Sequence, residues 1–121
     1  MGLDTTHDCW HGAYSAYFRW RWNLMEQTGK FTLTRERFDY IGPKEEWPLY
    51  APLAYLMQHS DCDGTIPLEA QIPLAECLER QIAAYPDANW DGHIGGWHEK
   101  TRQFADGLRL AHSLGEEVEY H

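Results

Sequence analysis

The chain has 121 residues, enough for one domain and too few for two cores. Hydrophobic residues make up 43% and aromatic residues 14%, so the chain has ample apolar surface to bury and disorder is not expected. Nineteen acidic residues against ten basic ones give a net charge of −9, which repels phosphate backbones and disfavours direct nucleic-acid binding.

No run of about 18 apolar residues is present, so no membrane span is expected. The first ten residues, MGLDTTHDCW, show no basic region followed by an apolar one, and no signal peptide is expected. Met1–Thr6 fits the short myristoylation pattern, but no basic second signal accompanies it. Cys9, Cys62 and Cys77 are odd in number and lack CxxC spacing, which fits a reducing cytoplasm rather than a disulfide framework.

In chain order, Thr5 as N-cap with Asp8 three residues on predicts a first helix. It runs through residues 9–28, CWHGAYSAYFRWRWNLMEQT, and stops at Gly29. Residues 31–41, FTLTRERFDYI, alternate partly and predict a strand or hairpin arm, broken by Gly42-Pro43. LAYLMQ at 53–58 is too short for periodicity to decide, and the polar HSDCDG turn after it favours a strand. Pro73 suits the first turn of a second helix in which Leu74, Cys77, Leu78, Gln81, Ile82 and Tyr85 recur at helical spacing. PDANWDGHIGG reads as a loop, and a third helix runs from Gly96 to Leu114, with Gly115 as its stop. EEVEYH reads as a closing strand. The expected fold is α+β, a single domain over residues 1–121 with three helices on a small, mainly antiparallel sheet.

On the first helix wheel, Trp10, Tyr14, Tyr17, Phe18, Trp22, Leu24 and Met25 form a broad apolar stripe. Arg21 falls near its centre, where a cation is costly unless paired with a carboxylate, an aromatic face or a bound anion. The glycines before the third helix, Gly95 and Gly96, offer backbone N–H groups of the kind that suit a phosphate or carboxylate. With Trp10, Tyr14, Trp22, Trp97 and His112, they complete the expected ligand-binding set around Arg21.

Seven histidines stand out, since imidazole switches charge near neutrality or ligates metal. His7 and His11, four apart, share a helix edge in this reading, a spacing that can chelate an ion. His59 stands beside Asp61 and Asp63, and the five together form the expected metal set for zinc or manganese. Calcium is not expected. In an EF-hand alignment His59 takes position 1 and Ala70 position 12, so the bidentate carboxylate is missing.

Three blocks, GLDTTHDCWHGAYSAYFRW, HSDCDG and GHIGGWHEKTRQFADGLRLAH, together resemble an uncharacterised family of small bacteriophage and actinobacterial proteins. The resemblance covers about half the chain and leaves out residues 30–50. It carries no catalytic role, and it implies a small accessory protein in the cytosol of an infected cell.

The function expected from these features is non-enzymatic binding of a small anionic or nucleotide-like ligand in an aromatic, His- and Arg-lined cleft, for example to sequester a host defence signal. One alternative is a metal-dependent hydrolase using the His/Asp set. Another is an acidic protein–protein inhibitor with a host protein as partner. A homo-oligomer fits any of the three, and no serine or cysteine has a recognisable activating context.

Overall fold

A computed structural model describes residues 2–33, 38–58, 64–85 and 96–120. The chain opens on a hairpin rather than on the expected helix. Strand β1 (Gly2–Asp4) pairs antiparallel with β2 (His11–Ala13), which sets Asp4 opposite His11. Between them lies a 3-10 turn, Thr6–Asp8, in which His7 and Asp8 take φ of +60° and +58°. A right-handed helix cannot pass through two such residues. Thr5 does act as a cap, but for this loop. Its hydroxyl accepts the Trp10 N–H at 2.9 Å, and its N–H donates to the Trp10 carbonyl at 3.0 Å. Helix α1 starts only at Tyr14 and runs to Glu26. Gly29, with φ +68°, ends it as expected, its N–H reaching the Glu26 carbonyl at 3.1 Å.

Within the stretch expected as a strand or hairpin arm, β3 (Phe31–Leu33) pairs antiparallel with β4 (Phe38–Tyr40). LAYLMQ, expected as a strand, is instead the second half of α2 (Trp47–Gln58). Pro48 sits in the first turn, where a missing N–H costs nothing, and Pro52 lies inside the helix. Those two prolines hide a helical run whose apolar half looks like a buried strand.

After β5 (Thr65–Ile66), α3 spans Leu68–Ala84 and so begins before the expected start at Pro73, which lies inside it. The buried Gln71 anchors this first stretch. Its side-chain amide donates to the carbonyls of Ile66 at 3.2 Å and Glu116 at 2.7 Å. Helix α4 (Trp97–Leu114) matches its expected bounds. Gly115 adopts φ +68°, and the Glu116 N–H returns to the Ala111 carbonyl at 2.9 Å, which closes the helix end. The closing strand β6 (Val118–Glu119) pairs antiparallel with β5, and Tyr120 bridges to Thr5.

The fold is therefore α+β, with two corrections. Among the described residues there are four α-helices rather than three, and three separate two-stranded ribbons rather than one sheet. None of these helices is long and apolar enough to cross a membrane.

Side chains from β1, the hairpin loop, all four helices and β6 meet in one core. Its centre is aromatic. Trp20 stacks on Phe104 at 4.9 Å between ring centroids, and Trp10 lies 5.1 Å from Tyr17 and 5.3 Å from Trp20. Such contacts add about 0.5–1.5 kcal/mol each beyond burial. The Trp20 indole N–H donates to Thr101 Oγ1 at 2.9 Å, and the Thr101 hydroxyl donates to the Trp97 carbonyl at 2.7 Å. Outside this core, Arg109 on α4 grips the Glu79 carboxylate of α3 with two hydrogen bonds of 2.6 and 2.7 Å.

Candidate functional site

The two left-handed residues, His7 and Asp8, are the most strained part of the described backbone. Each costs about 1–3 kcal/mol unless its surroundings hold it. Gly107, buried on α4, makes the close approach possible. A Cβ there would lie 2.5 Å from Cys9 Sγ and 2.7 Å from the His7 carbonyl oxygen. Helix α4 also grips the turn from outside. Gln103 Nε2 donates to the Asp8 carbonyl at 2.9 Å, and Lys100 Nζ donates to the His11 carbonyl at 3.1 Å. The same ammonium lies 4.9 Å from the Trp10 ring centroid, a cation–π contact that covers the indole.

Within the turn, the His7 side chain is 10% exposed and completes a chain of hydrogen bonds. The Glu119 N–H donates to Thr6 Oγ1 at 2.9 Å, Thr6 Oγ1 meets His7 Nδ1 at 2.8 Å, and His7 Nε2 meets Glu116 Oε1 at 2.8 Å. One proton order satisfies every group: the Thr6 hydroxyl donates to Nδ1, and Nε2–H donates to the carboxylate. His7 thus ties the N-terminal turn to the C-terminal strand.

His11 is held differently. Its Nδ1 lies 2.9 Å from Asp4 Oδ1 and its Nε2 lies 2.8 Å from Asp8 Oδ1. Both ring nitrogens face acceptors, so the ring satisfies both only as an imidazolium. The hydrogen bond to Asp8, and next that to Asp4, raises its pKa above the usual histidine value.

Two cavities meet at His7. One, of about 510 Å³, lies between the turn and α4 and is lined by His7, Asp8, Glu99, Arg102, Gln103, Asp106, Gly107 and Leu110. The other, of about 500 Å³, is lined by Thr6, His7, Glu116, Glu117 and Glu119. Asp4 and Asp8 flank His11 beside them, so the surface around the turn is acidic, with Lys100, Arg102 and the His11 imidazolium as its cations. Its acids come from residues 4–8, 99–106 and 116–119, three stretches that look scattered in the sequence. The bridge from Thr5 to Tyr120 and the β5–β6 pair bring them together, and no local pattern announces that.

Of the expected metal set, only His7 and His11 fall among the described residues. His7 lies in the strained turn and His11 on β2, so they do not share a helix edge, and each ring is already engaged by carboxylates. His59, Asp61 and Asp63 lie outside the described residues. Among the described residues, no group of three or more His, Cys, Asp or Glu side chains is arranged to hold a metal ion.

The expected ligand-binding set is dispersed between core and surface. Arg21 is buried, as expected. Its guanidinium lies 4.6 Å from the Tyr17 ring centroid, and Nη1 donates to the Leu56 carbonyl at 3.3 Å. Trp10 and Trp97 are wholly buried, and the indole N–H of each has no hydrogen-bond acceptor among the described residues. Tyr14 and Trp22 are half-buried, with Trp22 donating to Glu26 at 2.6 Å. Gly96 has φ +100° and opens α4 without a side-chain cap, while His112 is exposed near that helix's far end. Gly95 lies outside the described residues. Of the cysteines, burial pushes the Cys9 thiol up to about 12 and the Cys77 thiol up to about 11, so neither is a ready thiolate.

No family model matches the chain, and no curated protein or solved structure shows a significant match to it.

Proposed function

We propose that the protein acts by binding, and that its acidic face receives a cationic partner. The observation that carries this reading is the convergence at His7, where two cavities framed by carboxylates from three chain segments share one side chain. The turn beneath them is strained and held from both sides, which fixes the face in place before any partner arrives. With a net charge of −9, long-range attraction adds to the encounter rate of a basic partner. This is closest to the inhibitor alternative drawn from the sequence.

The test is a titration with a fluorescein-labelled peptide of alternating lysine and glycine. Saturable binding is expected at about 0.01 M salt, with strong weakening at about 0.1 M, as the Debye length falls from about 30 to about 10 Å. Glu117→Lys combined with Glu119→Lys, both exposed positions, should weaken it further. A folded protein that ignores the peptide at low salt would overturn the reading.

A second reading keeps the small anionic ligand expected from the sequence. Its support is the pair of buried indole N–H groups, Trp10 and Trp97, that lack an acceptor among the described residues, with the buried Arg21 as the fixed charge. Sequestration of an anionic signal in an infected cell is the role it would serve. Titration with ATP tests it: saturable binding lost in Arg21→Met supports it, and no heat of binding counts against it.

A further inference from the structure

The groove between the Thr6–Asp8 turn and α4 differs from the cavity on the other side of His7 in one respect: one of its ends is apolar. Leu110 lines it at 48% exposure, and Leu114, one turn further along α4, is 57% exposed. Two of its carboxylates lie along α4, with Asp106 one turn before Leu110 and Glu99 about two turns before Asp106, while Asp8 comes from the turn opposite. Glu99, Gln103, Asp106, Leu110 and Leu114 fall at i, i+4, i+7, i+11 and i+15, so they form one stripe along the helix. A second helix laid along that stripe presents one side chain per turn at the same 5.4 Å repeat.

We infer that this groove seats an amphipathic helix of a partner protein, with lysine or arginine facing Glu99 and Asp106 and a large apolar side chain covering Leu110 and Leu114. Charge complementarity chooses the occupant, because the carboxylates of Glu99 and Asp106 face one arginine, Arg102, along the groove, while Asp8 is already paired with His11. The apolar end sets the register, since the seated helix buries Leu110 only when its own apolar residue lies about one turn from one basic residue and about three from the other. The inference rests on the acidic face being the binding face, and it adds a place and a pattern to that reading.

The experiment uses the full chain and two fluorescein-labelled peptides of about 15 residues. One places Lys at two positions about two turns apart and Leu about one turn further on. The other has the same composition in scrambled order. The patterned peptide should bind about tenfold tighter, and Leu110→Asn should abolish that advantage while leaving the scrambled peptide unaffected. Leu110 is half exposed, so this variant should keep its far-UV spectrum and urea midpoint. Glu99→Lys with Asp106→Lys should weaken both peptides. Equal binding of the two peptides, or an advantage that survives Leu110→Asn, overturns the groove and leaves the acidic face standing. Binding of neither peptide overturns both readings.

Discussion

His7 and Arg21 each fix nitrogen atoms in a defined place, in opposite surroundings. Arg21 is held inside the protein over the Tyr17 ring, close to the aromatic cluster of Trp10, Trp20 and Phe104. His7 is held at the surface by a carboxylate and a hydroxyl, on a turn with two left-handed residues. The interior around Arg21 is dense, and much of its polar inventory is engaged by backbone carbonyls and hydroxyls. The face around His7 has open volume, excess charge and strain. Aromatic residues at helical spacing usually make a core, and here they do. A binding surface needs accessible groups that are already ordered, and the turn supplies them.

The comparison is broken most severely from the inside. Phe104→Ala removes the ring stacked on Trp20 and should cost about 3–5 kcal/mol in urea unfolding. Gly107→Ala attacks the junction between the two regions, because its Cβ meets backbone atoms of His7 and Cys9. It should cost about 1–3 kcal/mol and displace the His7 and Asp8 amide resonances. Gly29→Ala, with φ +68° and nothing within 4 Å of its Cβ, should leave those resonances in place. Arg21→Ala loses the Leu56 hydrogen bond and the packing on Tyr17, and about 2 kcal/mol of stability is expected to go with them.

The smallest effect belongs to His11, half exposed on the hairpin. Its pKa is raised in the folded state, so its contribution to stability is full below about pH 6.5, the unfolded value, and is lost as pH rises through the folded one. Exposed pairs of this kind contribute no more than about 1 kcal/mol. Titration of the imidazole proton shifts by NMR should show the pKa falling in Asp8→Asn and falling less in Asp4→Asn, in the order of the two hydrogen bonds. Equal values in wild type and both variants would show that the carboxylates do not hold the ring.

How much of this was legible in the sequence varies with the kind of signal. Helix α4 was readable from Gly96 to Gly115 because its caps and apolar stripe are local. The start of α1 was not, because Thr5 and Asp8 mimic a capping box while the backbone at His7 and Asp8 turns left-handed. Prolines 52 and 73 disguised the interiors of α2 and α3, where tertiary anchors such as Gln71 outweigh the missing hydrogen bond. The burial of Arg21 was legible, since a cation in an apolar stripe must go inside or distort the helix. The acidic face was not, because Glu116 reaches His7 only through long-range pairing of the chain ends.

The most direct test of the acidic face as the binding surface is an amide chemical-shift map of the labelled protein titrated with the lysine–glycine peptide at low salt. Shifts concentrated at residues 4–11, 99–110 and 116–119, moving together and saturating, are the result expected. Shifts centred instead on α1 around Arg21, or weak shifts spread evenly over the surface without saturation, would contradict it.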